Sequence, residues 1–332
     1  MTRLLLTAAI VAALLTGCGG SDADTITLYN GQHPQLTRAL VAAFERKTGI
    51  HVRVRTGEPI VLVSQLLQEG SRSPADVFFA ENSPELVVLD EQHLLAKLPT
   101  SITNQVPSKY NSPSGTWVGV ALRLSAVVYN PSRISAAELP PRLLDLATPP
   151  WKGELAIAPT DPDFPPLVGG VIARYGSHAA ESWLRGLKAN AAVYADEEAV
   201  VAAVERGQEA VGVVNQYYWY RLRLEQGAAN TDSKLYLFPN GDIGTLTNVS
   251  GAAILASSTK TTEAEAFVRF LVSAKGQRLL AAGDDFEYPA RPGIAPNPAL
   301  PPLAGIKPAL LPMGVLGDDQ QAASLIQQVG FG

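Results

Sequence analysis

Trp117 to Asn130 reads WVGVALRLSAVVYN, one long extended segment suited to crossing from one lobe of a molecule to another. Before it, strand and helix patterns alternate. Thr25–Tyr29 (TITLY) and His51–Arg55 (HVRVR) alternate like strands, and Ala75–Phe79 (ADVFF) reads as a buried strand. Between and after them, Leu36, Leu40, Ala43 and Phe44 recur at helical spacing behind Pro34, Leu62–Leu67 suggests a second helix, and Leu86–Leu95 a third. That β-α-β-α-β order predicts a mostly parallel sheet covered on both faces. Ligands in such sheets sit beyond the carboxyl ends of the strands. Those ends carry Asn30-Gly31-Gln32-His33, Gly57-Glu58 and Glu81-Asn82.

A second unit follows the crossing. ELAIAP ends in a strand that meets Thr160-Asp161-Pro162-Asp163, and helices are expected near 166–174 and 179–187. AVYA precedes a helix over 197–205, and AVGVV is a strand leading into Asn215-Gln216-Tyr217-Tyr218-Trp219-Tyr220. Thr245–Ala256 (TLTNVSGAAILA) reads as a second crossing, 263–280 as one helix, and 319–329 as a short terminal helix. Two α/β lobes joined by two extended crossings predict a hinged clamshell around a cleft. The expected lobes are 25–122 with 250–295, and 123–249 with 296–332.

The bulk composition narrows the function. A 332-residue chain is long enough for two domains. Hydrophobic residues at 46% and charged residues at 17% make it globular rather than disordered. A formal net charge of -5 and no long Lys/Arg run argue against a nucleic-acid partner. The chain lacks G-x-S-x-G, P-loop, H-E-x-x-H and G-x-G-x-x-G contexts, so nothing supports an enzyme. Cys18 is the sole cysteine, which excludes disulfides within the chain and a thiolate metal cluster.

At the N-terminus, MTRLLLTAAIVAALLTGC sets Arg3 before an apolar run from Leu4 to Leu15, shorter than the ~20 residues of a membrane span. It reads as a secretory signal. Its end, Leu15-Thr16-Gly17-Cys18, resembles a bacterial lipobox, so residues 1–18 are expected to be a lipoprotein signal peptide whose Cys18 becomes a lipidated N-terminus. Residues 19–24 (GGSDAD) then form a polar tether. The expected location is extracytoplasmic and held at a membrane by the lipid.

The run VVNQYYWY, 213–220, is unusual in a chain with 7% aromatic residues. A strand would send Tyr217 and Tyr218 to opposite faces, and a helix would separate them by about 100°. Core packing accounts for such residues in most proteins. Here they follow a strand end, at an expected strand-to-helix turn where neighbouring side chains can aim together.

With these pieces placed, the mature chain resembles the bacterial ferric-ion-binding proteins, receptors of iron(III) ABC importers with the class II periplasmic-binding fold. The resemblance is carried by TLYNGQH at 27–33, SPADVFFAEN at 73–82, LATPPWKGELAIAP at 146–159, NQYYWYRL at 215–222, SGAAIL at 250–255 and EYPARPG at 287–293. It implies His33 and Glu81 as metal ligands from the first lobe, and Tyr217 and Tyr218 from the second. It also implies an ABC permease and ATPase as partners, and a monomer. Iron(III) is a hard ion suited by oxygen anions. Two phenolates and one carboxylate would neutralise it, and neutral His33 would add a fourth donor.

The resemblance further implies a bound anion or water in the open positions, cradled by small residues and backbone amides. Here the matching loop departs: Pro162 lacks an N–H, and Asp161 and Asp163 would repel an anion. Water or Asp161 is left to complete the shell. Asn82, Asn215 and Arg123 are expected near the metal or an anion, with Arg123 offsetting negative charge. His51, His93 and His178 read as surface residues, Tyr29 as core, and Glu58 as a spare carboxylate. An organic solute stacked on the aromatics (a polyamine, sugar or phosphonate) is the alternative cargo.

Overall fold

A computed structural model describes residues 24–317 and 319–331; the signal segment, Cys18 and tether residues 19–23 lie outside the described residues. The strands are β1 (Thr25–Asn30), β2 (His51–Thr56), β3 (Val77–Ala80), β4 (Trp117–Tyr129), β5 (Leu155–Ile157), β6 (Ala191–Val193), β7 (Val211–Asn215), β8 (Lys234–Tyr236), β9 (Thr247–Ile254) and β10 (Tyr288–Pro289). Their order is β2-β1-β3-β9-β4-β7-β5-β6, with β8 and β10 also pairing β4. The fold is the expected mixed α/β architecture of two lobes.

β4 belongs to both lobes. Its residues Trp117–Leu124 pair antiparallel with β9, and Ser125–Tyr129 pair antiparallel with β7. All thirteen of its residues are buried, which accounts for a nearly unbroken apolar run with no alternation. β9 is the second crossing and joins β3 to β4. Around the first lobe's sheet, β1 pairs parallel with β2 and β3. Around the second, β5 pairs parallel with β6 and β7.

The helices start and stop where local chemistry directs. Pro34 opens Pro34–Thr48, and Gly49 ends it with φ 78°, a left-handed turn that glycine adopts without strain. Asp196 caps Glu197–Glu205 by accepting from the Ala199 amide at 2.7 Å. The single helix expected over 263–280 is instead two, Thr261–Leu271 and Ala274–Ala282. Ser273 caps the second by accepting from the Gly276 amide. A Cβ on Gly276 would lie 2.2 Å from the Phe270 carbonyl oxygen, so this tight corner requires glycine.

Each lobe has its own apolar core. Phe44, Phe78, Trp117 and Phe267 mark the first; Leu155, Phe164, Trp183 and Phe238 mark the second. Leu300 and Met313, from the stretch assigned by sequence to the second lobe, pack in the first lobe's core. The terminal helix Gln320–Val329 packs Leu325 and Ile326 on the second. Tyr217 and Tyr220 reach from a second-lobe helix into the first lobe's core, where Tyr220 stacks on Phe286 at 5.5 Å.

Candidate metal site

Sheet register brings the sequence-picked residues together. β1 and β3 are parallel neighbours with Asn30 level with Phe79, so the residues just past their ends, His33 and Glu81, emerge side by side. Their side chains meet, His33 Nε2 to Glu81 Oε1, at 3.1 Å. In the antiparallel β4–β7 ladder Ser125 faces Asn215. Two residues further on, the ladder's continuation sets Tyr217 beside Arg123, and the guanidinium lies 5.7 Å from the phenol ring centre. The Leu124 amide seals the junction by donating to Gln216 Oε1 at 2.6 Å.

The two halves touch through aromatic rings. Tyr217 is fully buried and meets His33 edge-on at 5.0 Å, and Tyr218 lies against Tyr217 with ring centres 4.1 Å apart. Both tyrosines occupy the first turn of the helix Gln216–Gln226 rather than a free turn before it. His33, Glu81, Tyr217 and Tyr218 thus converge from both lobes. Among the described residues no three His, Cys, Asp or Glu side chains are grouped to hold a metal, so a metal bound here would need the tyrosines as donors.

A ring of charge surrounds the four. Arg123, fully buried, donates from Nη1 to Glu81 Oε1 at 2.9 Å and from Nη2 to Asn82 Oδ1 at 2.9 Å. It also lies 3.3 Å from Glu287 Oε1 and 3.7 Å from Asp163 Oδ1. Tyr217 donates its hydroxyl to Asp163 Oδ2 at 2.8 Å. Arg221 sits over both rings, 4.9 Å from the centre of Tyr217 and 5.9 Å from that of Tyr218, and pairs with Asp285 at 3.3 Å. Carboxylates outnumber these two arginines, so the pocket attracts cations.

These neighbours shift the site's acidities. Burial pushes both phenols up, and the nearby Asp163 carboxylate adds to this, so without a metal they stay protonated. Burial would raise Glu81 as well, but Arg123 and His33 outweigh it and bring that carboxyl down to about 2. Burial opposes the imidazolium of His33, yet its hydrogen bond and attraction to Glu81 leave the group raised. His33 Nδ1 has no hydrogen-bond partner, although Asp285 Oδ1 is 3.6 Å away.

The remaining expected residues divide. Asn82 and Arg123 are in the cluster. Asp161 is engaged by the backbone: its Oδ1 accepts from the Asp163 amide at 2.9 Å and its Oδ2 from the Glu197 amide at 3.0 Å. Asn215, at the end of β7, accepts at Oδ1 from Asn248 of β9 at 3.4 Å, while its backbone amide donates to Glu197. His51, His93, His178 and Glu58 are exposed, and Tyr29 is buried with its hydroxyl on Glu69 at 3.0 Å.

Sequence reasoning missed Glu287, Asp285 and Arg221. Arg221 carried a usable signal, standing four residues after Tyr217 on one helix and hence on the same face. Glu287 and Asp285 lie next to a two-residue strand whose register no periodicity reveals.

Two lobes on two crossing strands, with polar side chains from each meeting between them, define a solute-binding receptor that closes on its cargo. The chain belongs to the bacterial extracellular solute-binding protein family, whose pattern it matches over residues 73–307. It is 40% identical over 291 residues to the Fe(3+)-binding periplasmic protein of Serratia marcescens, covering 87% of this chain and 86% of that one. It is 37% identical over 325 residues to the major ferric iron-binding protein of Neisseria meningitidis serogroup B, covering 97% and 98%. Its fold superposes on iron-bound HitA of Pseudomonas aeruginosa with a TM-score of 0.88 at 41% identity, covering 92% of this chain and 99% of that one.

Proposed function

We propose that this chain is the extracytoplasmic receptor of an iron(III) ABC importer, capturing ferric ion between its lobes and delivering it to the permease. His33 and Glu81 bind from the first lobe, and Tyr217 and Tyr218 from the second. The carrying observation is the meeting of the paired phenols with His33 across the lobe boundary, inside a carboxylate-rich pocket. A trivalent ion stabilises phenolate over phenol, so it overcomes the burial that keeps both tyrosines protonated. No covalent chemistry occurs; closing and opening of the lobes is the functional event. Iron-binding relatives over nearly the whole chain support this cargo over an organic solute, as does the burial of the Tyr217 ring, which leaves no face for a ligand to stack on.

The same reading makes the mature protein a monomer, tethered through a lipid on Cys18 and served by a permease with its ATPase. Among the described residues no helix is long and apolar enough to cross a membrane.

Ferric phenolates absorb visible light. Purified protein mixed with ferric salt is expected to become coloured at one iron per chain. The double variant Tyr217→Phe, Tyr218→Phe is expected to stay colourless and to retain no iron through gel filtration. A colourless wild type, or a variant that keeps the band, contradicts the assignment.

A further inference from the structure

We infer that Gln32 and Gln216 are positioning residues: each stands directly before a proposed ligand, and both grip one short strap of the chain, residues 285–287, which thereby sets His33 against Tyr217 when the lobes close. The inference rests on the ferric reading above, and neither glutamine is among the proposed donors.

The two glutamines repeat one pattern. TLYNGQH sets Gln32 before His33, and NQYYWYRL sets Gln216 before Tyr217. Both are buried, and both side-chain amides are committed at each end. Gln32 Oε1 accepts from the His33 amide at 2.7 Å, and its Nε2 donates to Ser250 Oγ at 2.8 Å and to Glu287 at 3.3 Å. Gln216 Oε1 accepts from the Leu124 amide at 2.6 Å, and its Nε2 donates to the Phe286 carbonyl at 2.9 Å. The strap is thus tied to the ligand-bearing segment of each lobe by a route that does not pass through the metal.

The strap is held against its own preference. Phe286 has φ 51°, in the left-handed region that a residue with a Cβ resists. Such a conformation persists only where neighbours over-determine it. Three of these neighbours lie on the helix Gln216–Gln226: Gln216 on the Phe286 carbonyl, Tyr220 stacked on its ring at 5.5 Å, and Arg221 paired with Asp285 at 3.3 Å. Beyond them, Arg123 lies 3.3 Å from Glu287, and Tyr288 and Pro289 pair with β4. Asp285 Oδ1 and Glu287 Oε1 flank His33 Nδ1 at 3.6 and 3.8 Å. Loosening either glutamine lets the strap relax, and the alignment of imidazole with phenol relaxes with it.

The test uses the mature protein and ferric ion. Gln32→Asn and Gln216→Asn each draw the amide back by one methylene, too short to bridge, and leave every proposed donor in place. Each is expected to lose about 10-fold in ferric affinity by chelator competition, and to release iron to excess citrate about 10-fold faster. The visible band should remain. The double variant should lose little more than either single one, because one freed end already slackens the strap. Urea unfolding of the metal-free proteins separates a purely structural role, which lowers stability and leaves the affinity and release rate of the folded protein unchanged. Where an Asn variant does not fold, Phe286→Leu takes its place: it keeps the buried bulk and both glutamines but not the ring stack, and a loss in the same direction with the band retained is expected. Two results overturn the assignment: folded variants with wild-type affinity and release rate, or single losses that multiply to about 100-fold in the double variant. In both the ferric reading survives, because the wild type still colours with iron. A wild type that takes up no iron removes both readings.

Discussion

Arg123 shows how far one residue's chemistry reaches. It is wholly buried at the point where β4 passes between the lobes, in contact with Glu81, Glu287 and Asp163. A buried charge persists only when paired, and here one cation compensates three acids. Replacing it with the similarly shaped Arg123→Met leaves those acids unbalanced, at a cost of roughly 3–5 kcal/mol. Urea unfolding at neutral pH should show that loss. The deficit should then shrink with acid. Glu81 is held down from 4.5 to about 2, so its contribution is complete above its unfolded value and disappears as pH falls through about 2. Measured between pH 6 and pH 2, the gap between wild type and variant should narrow in the lower part of that range; a constant gap would show that Arg123 acts by packing alone. From the sequence, Arg123 was expected on the crossing strand, offsetting negative charge near the cleft. The sequence could not show the number of partners, since Glu287 reaches it through a distant two-residue strand.

At the scale of the element, the helix Gln216–Gln226 carries Tyr217 and Tyr218, the proposed ligands from the second lobe. Helical side chains lean toward the N-terminus, which lets the rings of Tyr217 and Tyr218 converge despite the turn between them. One turn on, Arg221 covers both rings and reaches Asp285 in the first lobe. Its positive charge favours phenolate, while its ion pair helps hold the lobes together. Arg221→Gln should weaken ferric binding by on the order of 10-fold, with the visible band retained because every donor remains. Chelator competition measures the loss, and small-angle scattering of the metal-free variant should report a larger radius of gyration. If neither changes, Arg221 only covers the rings. Elements with strong periodicity, such as Glu197–Glu205, were legible to the residue. The break after Leu271 was not, because it depends on a glycine whose hydrogen is the only group that fits against Phe270. Asp163 was read by its charge alone; its hydrogen bond from the Tyr217 hydroxyl depends on a tertiary contact that no local pattern reveals.

For the whole molecule, separate cores make each lobe a stable body, and the site between them is where protons and metal compete. In the metal-free state both phenols are protonated, their pKa values pushed up chiefly by burial. Ferric binding must therefore expel two protons, and the logarithm of the affinity should rise by about two for each pH unit near neutrality. His33 adds to this at lower pH. Its net shift is upward, so in acid it holds a proton that the metal must also displace, and the slope should steepen toward about three. The sign is that of release by acid: each proton bound stabilises the empty receptor over the loaded one. Competition against citrate from pH 8 to pH 5, with the visible band as readout, gives the slope directly. His33→Gln should keep the slope near two across the range, at lower affinity throughout. A wild-type slope near zero would mean that the phenols do not surrender their protons, and the tyrosine pair would then be packing and not ligands.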